Sequence, residues 1–344
     1  MKWTKQKVNN LFFLLGVAVV VVMLFTFDVS FVELWEHICH AGYWLIPVVG
    51  IWIIIYAINA WAWQCVIKGV TGDEEHISFL RIYKLTITGY ALNYSTPVGG
   101  LGGEPYRIME LSKDIGNERA TSSVILYAMM HMFAHFWFWF TSVFLYLALV
   151  AVGDLPLNAP IAIALGAIIV LCVLAFYLFS KGYRKGLVVK AIRWIGKIPG
   201  LKKWSQRFQE RHGESMHKID EQIAALHKQD KRHFYSSLSL EYISRIVQSL
   251  EVMFMLLLFG IDCGGGATGL LLTFLHSILI VAFTTFFANL IGFLPMQLGV
   301  QEGGFVLSIA ALGLSAALGI FVSVICRVRE IIWILIGLIL MKIN

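Results

Sequence analysis

Two glutamates stand in the same local context 198 positions apart. Glu104 lies seven residues after Pro97, with Gly99, Gly100, Gly102 and Gly103 between them, and Glu302 lies seven residues after Pro295, with Gly299 before it and Gly303 after it. Pro105 is favoured at a first helical position, so Glu104 marks the start of a helix. Gly303 and Gly304 allow the same geometry at the second place. Helix N-termini present unpaired N–H groups and a positive dipole end, which together attract a phosphate or another anion. Glu104 and Glu302 either cap their own helices or face a substrate or a proton, and the two roles are compatible.

Further ionisable residues lie in otherwise apolar sequence. Arg107 sits one turn beyond Glu104 and either faces a headgroup or snorkels to the surface. Arg327, Arg329 and Glu330 fall near the middle of the last apolar stretch. Charges in hydrocarbon cost several kcal/mol unless paired or hydrated, so they normally face an interior. Arg327 and Glu330 at i,i+3 suit a local ion pair. That leaves one cation for a phosphate or for Glu251 across the bundle. Glu241 and Arg245, one turn apart, have the same ambiguity, and Glu251 is deeper and the stronger functional candidate. His131 and His135 at i,i+4 have metal spacing, but neither a third ligand nor an HExxH context accompanies them, so polar packing or a proton relay is expected and no metal. Asn93 and Asn289 precede the two breaks and are placed to satisfy freed carbonyls. GGLGG at 99–103 has no preceding strand and no GK[ST] ending, so it is a weak phosphate-loop match.

The elements that must position these groups are membrane helices. The chain has 344 residues, 58% of them hydrophobic and only 14% charged. Its apolar runs reach the roughly 20 residues needed to cross a hydrocarbon core about 30 Å thick. The net charge of +6 does not point to nucleic acid, because residues 181–235 alone hold fourteen Lys/Arg against five Asp/Glu. That is the pattern of a cytoplasmic loop. Five cysteines (39, 65, 172, 263 and 326) show no CxxC or disulfide framework and read as small buried hydrophobes.

Six full spans are expected, at 8–27, 41–67, 120–152, 160–180, 236–260 and 316–341. The first resembles a signal peptide but lacks a cleavage site and reads as a retained span. Trp44, Trp52, Trp61 and Trp63 serve partly as interfacial anchors of the second. The apolar segments 79–96 and 269–294 stop at STPVGGLGGEPY and PMQLGVQEGG, where no continuous helix survives, and short arms follow. Each reads as a re-entrant hairpin. Lysines and arginines place both termini in the cytoplasm.

The spans around the two breaks correspond, and the two units have opposite orientation. The fold expected is therefore an all-α polytopic membrane protein, six full spans plus two re-entrant helical hairpins in inverted repeats, the arrangement from which many carriers build a central site. One membrane domain covers 1–344. It divides into 1–40 (first span and outer loop), 41–152 (repeat A, hairpin 79–118), 153–180 (linking span), 181–235 (basic loop with an amphipathic helix at 185–198) and 236–344 (repeat B, hairpin 268–314).

At 93–108 (NYSTPVGGLGGEPYRI), 295–314 (PMQLGVQEGGFVLSIAALGL) and 326–340 (CRVREIIWILIGLIL) the sequence resembles the flippase-like membrane domain of bacterial lysylphosphatidylglycerol synthases and their stand-alone relatives, the uncharacterised-protein family 0104. The resemblance implies lipid translocation, or a supporting role in envelope-lipid or polyprenyl-glycan pathways, in the bacterial cytoplasmic membrane. Residues 99–104, Pro105 and Arg107 match its first motif; Gly299, Glu302, Gly303 and Arg327 match its second. Relatives often place an arginine early in the span after the first hairpin, whereas 125–130 here has none and His131 and His135 follow instead. The fused synthases carry a separate soluble aminoacyl-transferase domain. The chain ends at Asn344, so aminoacylation is not expected.

The leading expectation is an ATP-independent carrier, not an enzyme, that moves an anionic phospholipid or a polyprenyl-phosphate-linked lipid. Gly99, Gly100, Gly102, Gly103, Glu104, Arg107, Gly299, Glu302, Gly303, Arg327 and Arg329 would bind substrate. Glu104, Glu302, Glu251, Glu330, His131 and His135 would couple protons or form ion pairs. No cofactor is expected. The expected partners are membrane lipids, with further copies of the chain or envelope-lipid enzymes as candidates. The rival readings are a secondary carrier of a small anion and a membrane enzyme that modifies a lipid headgroup.

Overall fold

The computed structural model describes residues 42–72, 76–95, 102–183, 231–261, 265–290 and 300–343, together with scattered positions between 190 and 221. Among the described residues every regular element is helical. A short 3₁₀ turn at Gly42–Trp44 leads into α1 (Leu45–Thr71), followed by α2 (Phe79–Ser95), α3 (Gly103–Ile115) and α4 (Asn117–Ala151). Then come α5 (Ala159–Tyr183), α6 (Lys231–Leu258), α7 (Gly266–Leu290), α8 (Val300–Ala311) and α9 (Ala316–Leu340). The expected first span at 8–27, both break motifs at 96–101 and 291–299, and most of the amphipathic helix at 185–198 lie outside the described residues.

Among the described residues, four helices are long and apolar enough to cross a membrane: Gly42–Thr71, Asn117–Ala151, Ala159–Phe179 and Gly266–Leu290. Three of them match expected spans. The fourth is α7, read from sequence as a re-entrant arm; its 25 residues give roughly 37 Å, enough for a full crossing. The segments 236–260 and 316–341, read from sequence as spans, are helical as α6 and α9, 28 and 25 residues long, but their charges keep them out of that apolar set. Those charges are buried: Glu241, Arg245, Glu251, Arg327, Arg329 and Glu330 are all at most 7% exposed. A helix can place such groups in a bundle only by turning them away from lipid. The opposite case is α5, whose Ile163, Val170 and Leu174 point outward.

The packing of the first four helices recurs in the last four. α1 packs on α2, α2 on α3 and α3 on α4; likewise α6 packs on α7, α7 on α8 and α8 on α9. Across the halves, α2 packs on α9 and α7 on α4. α1 and α6 run antiparallel along the centre. Trp44 lies against Phe254 at one end, and Lys68 shares a crevice with Arg232 at the other. One apolar core joins α4 to α9 through Phe138, Leu279 and Ile309, a second joins α1 to α4 and α9 through Trp63, Leu92 and Leu338, and an aromatic seam lies between them.

The arms α2 and α3 form an antiparallel hairpin. Arg81 at the open end meets Asp114 at 2.9 Å, and Asn93 near the closed end meets Gly103 and Glu104. The approach is close enough that a methyl group on Gly103 would overlap the Gly89 carbonyl oxygen. Small residues permit this backbone contact where lipid gives apolar helices no other reason to associate. α3 passes to α4 through Gly116, whose φ of 80° is favourable only for glycine.

Candidate functional site

The first hairpin builds its site at the start of α3. Gly103 donates its free N–H to Asn93 Oδ1 at 2.6 Å, and Asn93 Nδ2 donates to Glu104 Oε1 at 3.2 Å. Asn93 therefore caps α3 from the neighbouring arm, serving an orphan N–H and not the carbonyls expected from sequence. Glu104 does not cap its own helix. Its Oε1 accepts instead from Arg107 Nη1 at 3.0 Å, and Arg107 Nη2 donates to the Thr86 carbonyl at 3.2 Å. Arg107 is 2% exposed, so it does not snorkel. Its guanidinium lies 4.8 Å from the Tyr90 ring centre, 5.4 Å from Trp63 and 5.6 Å from Tyr127. These aromatic faces replace lost water around the cation. Gly89 makes the passage possible, since a methyl there would overlap Arg107 Nε.

The second hairpin repeats the motif with a different arginine. Glu302 Oε1 accepts from Arg327 Nε at 2.8 Å, and Arg327 Nη1 donates to Glu330 Oε2 at 2.8 Å. Gln301 Nε2 donates to Glu330 Oε1 at 3.0 Å. Arg329 turns the other way and holds Glu251 through Nε at 2.7 Å. Trp52 donates its indole N–H to the same carboxylate at 3.0 Å and lies under the Arg329 guanidinium at 4.0 Å. Three carboxylates thus face two guanidinium groups. Of the two partners left open by sequence for the second arginine, Arg329 has Glu251, and Arg327 pairs with both Glu330 and Glu302. Glu302 is the third residue of α8, past the capping position.

A third cluster links the halves. His131 Nδ1 lies 2.7 Å from Glu241 Oε2, and Arg245 Nη2 lies 3.0 Å from His131 Nε2. An ionised Glu241 assigns the proton to Nδ1, which leaves Nε2 to accept from the guanidinium. The Tyr90 hydroxyl is 3.3 Å from His131 Nδ1 and 3.3 Å from the Tyr127 hydroxyl. Those same two rings face Arg107, so the first hairpin and the His131 cluster share a wall. Tyr56 continues it, with ring centres 5.5 Å from Tyr90 and 5.4 Å from Trp52. His135 meets His131 edge to face, with ring centres 5.1 Å apart, and takes no part in the ion pairs described.

Beside the Glu251 and Arg329 pair lies a cavity of about 70 Å³, bordered by Tyr94 of the first hairpin, Thr284 and Gln301 of the second, and Gln248 of α6. It holds room for a few water molecules. The chain matches the family described as the lysylphosphatidylglycerol synthase TM region over residues 13–337. The chain belongs to this family. Membership places it among multi-pass membrane proteins related to lipid modification or transport. No curated protein and no solved structure matches the chain.

Of the residues expected to act, the lysylphosphatidylglycerol synthase TM fold joins Glu104 to Arg107, Glu302 to Arg327 and Glu330, and Glu251 to Arg329. Gly102 and Gly103 stand at the start of α3 and Gly303 in the first turns of α8, while Gly99, Gly100 and Gly299 lie outside the described residues. His131 has the acidic partner that sequence spacing did not reveal, because Glu241 is 110 positions away. Trp52 and Trp63, read as interfacial anchors, are 5% and 0% exposed and face arginines, whereas Trp61 is 57% exposed. Sequence reasoning also missed Tyr90, Tyr127 and Gln301. A polar-tipped ring one turn before His131 was the available signal for Tyr127; Tyr90 has no charged residue within a turn along its own helix.

Proposed function

We propose that the protein is an ATP-independent carrier, not an enzyme, that moves an anionic phospholipid or a polyprenyl-phosphate-linked lipid across the bilayer. The observation that carries this reading is the pairing of one hairpin carboxylate with one buried arginine in each half, Glu104 with Arg107 and Glu302 with Arg327. In this reading the hairpins are re-entrant, the halves are inverted repeats, and the two pairs are latches. A lipid phosphate offers an arginine the same charge-assisted hydrogen bonds that a carboxylate does. It can therefore replace Glu302 on Arg327 without leaving either cation bare. The displaced carboxylate takes a proton or turns to water, which couples headgroup entry to movement of the hairpin. The acyl chains stay in lipid throughout.

The network around Glu302, Glu330 and Glu251 supports a proton role as well. Three carboxylates against two guanidinium groups leave a formal negative charge, and Glu302, 32% exposed, is the one of the three that water can reach. One proton or one substrate cation balances the charge.

The test is a proteoliposome assay with fluorescent phosphatidylglycerol. Protein-dependent translocation is expected, slowed at least tenfold in Glu104→Gln, Glu302→Gln and Arg327→Ala. Wild-type rates in all three variants would remove these residues from the pathway. The small cavity supports a second reading, a carrier of a small anion; it requires uptake of radiolabelled phosphate without lipid redistribution.

A further inference from the structure

Away from the central network, a crevice of about 650 Å³ opens between the end of α1 and the start of α6. Its volume is within the range of ordinary ligand sites. Lys68, Arg232, Gln64, Ser236 and Ser239 line it, and no carboxylate does so among the described residues. Because α1 and α6 are antiparallel, moving back along α1 and forward along α6 goes the same way. Trp61 lies seven residues from Lys68, roughly 10 Å, and Ile243 eleven residues from Arg232, roughly 16 Å. Both are exposed, at 57% and 46%. The crevice is therefore basic at one end, hydroxylic and amidic in the middle, and apolar at the other.

That gradient fits an amphiphile better than a solute. A leaflet's headgroup layer is about 5–8 Å deep before the acyl chains begin. A phosphate at Lys68 and Arg232 would place glycerol beside Ser236 and Ser239 and the first methylenes against Trp61 and Ile243. Exposed Trp61 and Tyr235 are the amphipathic rings that mark this depth in membrane proteins. We propose that the α1–α6 crevice is a second site, separate from the buried ion pairs, that binds the phosphate headgroup of an anionic glycerolipid. It gives the proposed carrier a holding place for its lipid at the membrane surface. That role rests on the carrier reading; the binding itself does not.

The test uses the purified full chain in detergent and calorimetric titration with dihexanoyl phosphatidylglycerol, dihexanoyl phosphatidylcholine or inorganic phosphate. Phosphatidylglycerol is expected to bind at least tenfold more tightly than either of the others. K68Q/R232Q should weaken it at least tenfold, and S239W should do so as well by filling the crevice with both cations intact. All three positions are exposed, so the variants keep their fold. Wild-type affinity in both variants, or equal affinity for phosphatidylcholine, overturns the site. Inorganic phosphate binding as tightly as the lipid overturns the lipid assignment in favour of a solute phosphate. No transport occurs in detergent, so a negative result here leaves the carrier reading to its own vesicle assay.

Discussion

The Arg329 guanidinium grips the Glu251 carboxylate through Nε at 2.7 Å and Nη2 at 3.3 Å, across 78 residues of chain. Both side chains are at most 5% exposed, and Trp52 supplies a ring under the cation and an N–H to the anion. This pair joins α9 to α6 and to α1 at the centre of the bundle.

Removing one partner strands the other charge inside the bundle. Arg329→Ala is expected to lower stability by about 3–5 kcal/mol. Arg329→Met combined with Glu251→Leu should recover most of that loss, since a buried pair replaced by apolar groups is often neutral. A double-mutant cycle followed by denaturant titration in mixed micelles measures the coupling; additive losses would mean the pair does not interact.

Trp52→Phe separates the two roles of Trp52. It keeps an aromatic face for Arg329 and deletes the donor to Glu251. The expected loss is about 1–3 kcal/mol, the cost of an unmet bond to a buried charge, read in the same titration. An interfacial anchor would lose almost nothing.

His131 and Glu241 should respond unequally. Glu241→Leu leaves Arg245 without a carboxylate and is expected to cost about 3 kcal/mol or more. In His131→Phe, Glu241 and Arg245 still face each other at 3.7 Å, so the loss should be nearer 1 kcal/mol. Thermal unfolding of the two variants gives the order.

The glycines of the first hairpin make a steric prediction. Gly103→Ala sets a methyl on the backbone of α2, which cannot move aside, and should cost about 3 kcal/mol. Gly89→Ala pushes on the Arg107 side chain, which can swing, and should cost about 1–2 kcal/mol. Spin labels on Arg81 and Asp114, at the open end of the hairpin, would report separation of the arms in the first variant and a nearly native distance in the second.

The sequence by itself determined the helical membrane class and the ion pair between Arg327 and Glu330. Arg327 with Glu330 could be read directly, because helix geometry puts i and i+3 on one face whatever the rest of the chain does. Glu104 and Arg107 share that spacing, yet the sequence offered Arg107 a headgroup or the surface, and the fold turned it to Glu104. Apolar content likewise declared α1, α4 and α5, since a run of that length has few places to go but hydrocarbon. Tertiary structure alone decided that Glu241 meets His131, that Glu302 reaches Arg327, and that Trp52 and Trp63 turn inward to arginines while Trp61 does not. Those contacts depend on how helices far apart in the chain rotate and cross. The packing of α8 against α7 is likewise a tertiary fact, since the apolar content of a 25-residue helix does not say which neighbour it packs on.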